Sequence, residues 1–93
     1  MIEALIHAHQ PEEAYFWGTH QGTELDLLMI KRGKRLGYEI KRADAPTLTP
    51  SMRTVLGDLA LDSLTVIYPG DREYKLAANV RVVPVSSALD PSR

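Results

Sequence analysis

Cysteine is absent from this chain, tryptophan and phenylalanine occur once each, and the formal net charge is only -1. Without thiols there is neither a disulfide nor a thiolate metal centre, which fits a cytoplasmic protein. The near-neutral balance lacks the basic footprint of a dedicated nucleic-acid binder, so any contact with DNA or RNA has to come from a local cluster. No apolar run approaches the roughly 20 residues of a membrane span, and the first residues lack the basic-then-apolar order of a secretory signal. A membrane partner is not expected.

What remains is an ordinary soluble composition, 44% hydrophobic and 25% charged over 93 residues, enough for one domain. A chain of this size buries only about 60–65% of its unfolded surface, so it stands to gain from forming a homodimer or from docking on something larger.

Met1 to His9 reads as the end of a helix, closed by Pro11 and the acidic pair Glu12-Glu13. The abrupt start suggests a longer helix that has been cut. Ala14-Tyr15-Phe16-Trp17 reads as a strand, and Gly18 to Gly22 as the turn after it. Glu24 to Ile30 and Leu36 to Arg42 read as antiparallel strands joined by the basic tip Lys31-Arg32-Gly33-Lys34-Arg35, where glycine supplies a positive φ. Thr49-Pro50 is an N-cap followed by proline at the first helical position; Met52, Val55, Leu56 and Leu59 then mark one face of a helix running to about Leu61. Leu64 to Tyr68 and Val80 to Val85 read as strands. The helix between the strands at Leu36 to Arg42 and Leu64 to Tyr68 makes a βαβ unit, whose strands run parallel. The prediction is an α/β domain over residues 1–85, a mixed central sheet with flanking helices, and a flexible small-residue tail over 86–93.

Two fragments carry chemistry. In an extended chain Glu24 and Asp26 share one face, Glu39 and Lys41 share another, and Leu25 and Ile40 point oppositely. Adjacent strands would thus bring three carboxylates and an ammonium together. Such a set is the outline of a site for a hard divalent cation with a lysine beside it. Opposite charges paired across the exposed face of a sheet give the same pattern without any chemistry. Lys31, Arg32, Lys34 and Arg35, with Arg42 and Arg53, are candidates for phosphate contacts near this site, or else solvated surface. Tyr15, Phe16 and Trp17 read as half core and half interface, with base stacking as the other reading. His7, His9 and His20 share no metal-ligand spacing and read as surface histidines.

The order of these elements, with Asp26 on the second strand and Glu39-Ile40-Lys41 on the third, resembles the PD-(D/E)XK or restriction-endonuclease-like nucleases. More narrowly, Tyr15-Phe16-Trp17, Gly22-Thr23-Glu24-Leu25-Asp26, Tyr38-Glu39-Ile40-Lys41-Arg42 and Leu48-Thr49-Pro50-Ser51-Met52-Arg53 look like the C-terminal domain, of unknown function, of a bacterial and archaeal family of AAA-type ATPases. The resemblance runs from Met1 to about Val85. It implies an αβββαβ core and catalytic roles for Asp26, Glu39 and Lys41, with Mg²⁺ or Mn²⁺ held by Asp26, Glu39 and the Ile40 backbone carbonyl, Lys41 beside the attacking water, and Glu24 and Glu3 as accessory acids. It also implies an ATPase domain elsewhere in the full-length protein. The chain has no G-x-x-x-x-G-K-[ST] and is not itself that ATPase. Two functions follow as expectations. One is a metal-dependent nuclease-like domain that hydrolyses phosphodiesters in DNA or RNA; the other is a non-catalytic module of the same fold serving self-association or partner docking.

Overall fold

The computed structural model describes residues 1–16 and 25–92. Helix α1 (Ile2–His9) leads into strand β1 (Glu13–Phe16), followed by β2 (Leu27–Lys31), β3 (Lys34–Ile40), α2 (Pro50–Asp58), β4 (Ser63–Tyr68), β5 (Tyr74–Ala77), β6 (Val80–Pro84) and the short α3 (Val85–Ala88). The six strands form one mixed sheet in the order β1-β2-β3-β4-β6-β5. The first three make an antiparallel meander, β3, β4 and β6 run parallel, and β5 closes the far edge antiparallel to β6.

Local chemistry explains most of these boundaries. Gln10 at φ 46 and the following Pro11 end α1. Arg32 and Gly33 both take positive φ, 54 and 77, as a two-residue turn between right-twisted strands requires. Thr49 caps α2 by accepting a hydrogen bond from the Met52 N–H at 3.2 Å, with Pro50 in the first turn. The helix stops at Asp58, short of Leu61, because Ala60 turns left-handed at φ 50. That turn carries Leu61 back into the core, its N–H bonded to the Leu56 carbonyl at 3.0 Å.

Alternation along the strands builds a core on each face of the sheet. Leu28, Leu64, Val66, Tyr68, Val80 and Val82 face α2, meeting Met52, Val55 and Leu61. Leu27, Met29, Tyr38, Ile67 and Val83 face the opposite layer, where Leu5 of α1 and Ala88 of α3 cover them. Among the described residues, no helix is long and apolar enough to cross a membrane.

Two elements differ from the sequence reading. Residues 74–77 form β5, a strand of four residues too short for the alternation of Tyr74, Lys75 and Leu76 to stand out. Residues 85–88 form α3 where a tail was expected from residue 86, and Ala88 is buried against the sheet. Small residues were read as weak structure formers there, but smallness is what lets this turn of helix lie close to β4 and β6.

Candidate functional site

The C-terminal end of β3 gathers the charged residues that the sequence singled out. Leu36, Tyr38 and Ile40 belong to the layer of α1 and α3. A Cβ at Gly37 would meet Leu25, Leu61 and Leu64 of the α2 layer, so Glu39, two residues on, lies on the α2 face, and Lys41 follows in the same alternation. Glu39 is 2% exposed. The Lys41 Nζ stands 3.2 Å from its Oε1.

Asp26 reaches the same place by a different route from the one expected. It is not a strand residue on a shared face: β2 begins at Leu27, and the bend at Asp26 breaks the alternation, so Leu25 enters the α2 layer while Leu27 and Met29 enter the other. The Asp26 N–H still donates to the Tyr38 carbonyl at 3.0 Å. Beyond that bond β2 has left the ladder, and the Asp26 carboxylate replaces it by accepting the Ile40 N–H at 2.7 Å. On the other side of β3 the Lys41 N–H donates to the Ile67 carbonyl at 2.8 Å, in register with β4. Ile40 therefore turns its N–H, and with it its carbonyl, towards Asp26.

Beside these groups lies a cleft of about 190 Å³ between the end of β3 and the start of α2, lined by Lys41, Ala43, Ala45, Pro46, Thr47 and Thr49. Its floor is fixed from β5, since the Tyr74 hydroxyl donates to the Pro46 carbonyl at 2.8 Å. The sequence reading passed over this loop, which has alanines and threonines but no motif. Arg42, just after β3, and Arg53, in the first turn of α2, are exposed. The cleft sits outside the carboxyl end of a parallel strand, where open α/β sheets commonly bind ligands.

The other expected members that the structure describes lie elsewhere. Glu3 is exposed on α1, which packs on the opposite layer of the sheet. Glu24 falls outside the described residues, as do Trp17 and His20. The basic tip is at the wrong end of β3 to touch a phosphate at this site: Lys34 and Glu39 are separated by roughly 16 Å of strand at about 3.3 Å per residue. Arg35 is tied down there, its Nε donating to the Leu59 carbonyl at 2.7 Å and its N–H to Asp62 at 2.7 Å.

His9 is buried, contrary to its reading as a surface residue, and its Nε2 lies 2.7 Å from the Ala88 carbonyl. Helical spacing alone could not reveal this, because the partner is on α3. Tyr15 and Phe16 are 45% and 69% exposed on edge strand β1.

No group of three His, Cys, Asp or Glu side chains gathers as a metal cage among the described residues. Mg²⁺ does not need one. It commonly binds through one or two carboxylates and keeps several waters, so Asp26, Glu39 and the Ile40 carbonyl fit that cation in donor chemistry.

Residues 1–88 match the model of a family described as a domain of unknown function, DUF4143. The chain belongs to that family. It is 38% identical over 89 residues to the uncharacterized protein Rv2008c of Mycobacterium tuberculosis and, equally, to the uncharacterized protein Mb2031c of Mycobacterium bovis. Each match covers 96% of this chain and 20% of the relative, so the domain spans about a fifth of the length of these curated relatives. No solved structure matches the chain.

Proposed function

We propose that this DUF4143 domain is a nuclease-like module with a restriction-endonuclease-like core, hydrolysing phosphodiesters in nucleic acid with the help of Mg²⁺ or Mn²⁺. The observation that carries the reading is the 2.7 Å bond from the Ile40 N–H to the Asp26 carboxylate, which sets one acid against the Glu39-Ile40-Lys41 strand end. Asp26, Glu39 and the Ile40 carbonyl would hold the cation. When bound, it supplies an acidified water and neutralises charge on the phosphate. Lys41, its ammonium 3.2 Å from Glu39 and itself lining the cleft, would meet a phosphate oxygen and stabilise charge as it develops. Arg42 and Arg53 flank the same end and would hold neighbouring phosphates. The relatives' much greater length supports a place within a longer protein, which on this reading is an AAA-type ATPase with the domain at its C-terminus.

A second reading has its own observations. The Asp26 bond replaces a missing ladder bond and Glu39 pairs with Lys41, so these residues also serve a fold without chemistry. Exposed Tyr15 and Phe16 on an edge strand suit a docking module.

Asp26→Asn separates the two readings, because asparagine still accepts the Ile40 N–H but is a poor ligand for a hard cation. Calorimetry with Mn²⁺ should give binding to the wild-type chain and none to Asp26→Asn, while both unfold at similar urea concentrations. Cleavage of plasmid or single-stranded DNA in Mg²⁺ should disappear in Asp26→Asn and in Lys41→Ala. A wild-type chain that takes up no Mn²⁺ leaves only the docking module.

A further inference from the structure

The β2–β3 turn concentrates positive charge in a way that the fold does not require. Lys31 and Lys34 sit directly opposite each other across the hairpin, and like charges so placed repel. Between them Arg32 adopts φ 54, a left-handed conformation that such a turn normally gives to Asn, Asp or Gly. A repulsive pair and a strained arginine therefore coexist at one tip. Strain that is observed first is a fair pointer to function.

The nearby acids are engaged with backbone or hydroxyl groups. Glu12 accepts the Arg32 N–H, and Asp62 accepts the Arg35 N–H at 2.7 Å. Asp90 accepts the Ser92 N–H at 3.0 Å and the Ser92 hydroxyl at 2.7 Å. Among the described residues, no ion pair reaches the side chains of Lys31, Arg32 or Lys34. Those three line a cleft of about 350 Å³ whose remaining wall is Leu36, Pro91 and Ser92. The volume falls in the range of small-ligand sites.

We propose that this cleft binds the phosphate group of a nucleotide-sized phosphate ester. Lys31, Arg32 and Lys34 hold the phosphate oxygens, the arginine through its planar fork, and Leu36 and Pro91 give the apolar part of the ester a surface to lie on. The site is separate from the carboxylate end. It lies at the other end of β3, and Leu36 belongs to the layer of α1 and α3 while Glu39 faces α2. A compact ligand fits this placement better than a nucleic-acid strand running past both ends.

Amide chemical shifts of the 93-residue chain, followed during titration with inorganic phosphate and separately with a nucleoside 5′-monophosphate, test the assignment. Both probes should give saturable shifts confined to residues 31–36 and to Ser92. Tighter binding of the nucleotide assigns the ester as the source, and equal binding assigns free phosphate. Lys31→Gln and Lys34→Gln should each weaken binding roughly five-fold. Arg32→Asn relieves the turn, so it should raise the urea midpoint and still weaken phosphate binding. Absence of saturable shifts, wild-type affinity in Arg32→Asn, or an oligonucleotide that shifts Glu39 to Lys41 together with the tip would overturn the proposal.

Discussion

Gly37 is the residue on which the approach to the site turns. It sits opposite Leu28 on one neighbouring strand and Leu64 on the other, and a Cβ there would come within 2.6 Å of Leu61, 3.1 Å of Leu25 and 3.3 Å of Leu64. Three leucines occupy the space that a side chain would need. Gly37→Ala should therefore cost about 1–3 kcal/mol through overpacking, read as a lower urea midpoint at unchanged slope. The sequence showed only a glycine inside a strand, with no sign of this crowding. It gave Asp26 more clearly, by type and by place ahead of Glu39-Ile40-Lys41, but not the bend that puts its carboxylate on the Ile40 N–H. A single hydrogen bond at a strand end has no periodicity to betray it.

Elements were legible in proportion to the strength of their local signals. The β2–β3 turn and the cap and proline of α2 stand where their residues predicted, and the parallel pairing of β3 with β4 follows from the helix between them. Helix α3 and strand β5 were not legible, because each is specified by what it packs on. His9 joins α1 to α3 through the Ala88 carbonyl at 2.7 Å. Replacing it with alanine leaves that acceptor without its side-chain partner and opens space under both helices. His9→Ala should destabilise the domain by about 1–3 kcal/mol. Hydrogen exchange at the amides of residues 85–89 should quicken more than exchange in α2, and equal effects on the two helices would count against the coupling.

At the scale of the whole molecule, the layer of α1 and α3 makes stability depend on alkaline pH. Burial pushes the Tyr38 phenol up to about 12, with Arg81 acting weakly the other way. An unfolded tyrosine loses its proton near pH 10. Between those values the folded chain holds a proton that the unfolded chain has released, so stability falls as pH rises through this window, by at most about 2–3 kcal/mol from Tyr38. Tyr74, also raised by burial, and Tyr15, raised by its bond to Glu13, act in the same direction. Urea midpoints measured at pH 9 and at pH 11.5 should differ more in the wild type than in Tyr38→Phe, and equal differences would refute the assignment.

Gly37 has one further consequence, which holds whatever the domain binds. Strand side chains alternate in twos, so sliding β3 by a single residue against β2 and β4 would exchange the contents of the two layers. Leu36 or Tyr38 would then stand where Leu61, Leu25 and Leu64 leave no room even for a Cβ, and Tyr38 would lose its place among Leu27, Met29, Ile67 and Val83. Glu39 and Lys41 share one face at the end of the same strand and would travel together, so crowding rather than charge tells the registers apart. The glycine thus acts as an alignment key, rejecting every odd-numbered misthreading of the central strand.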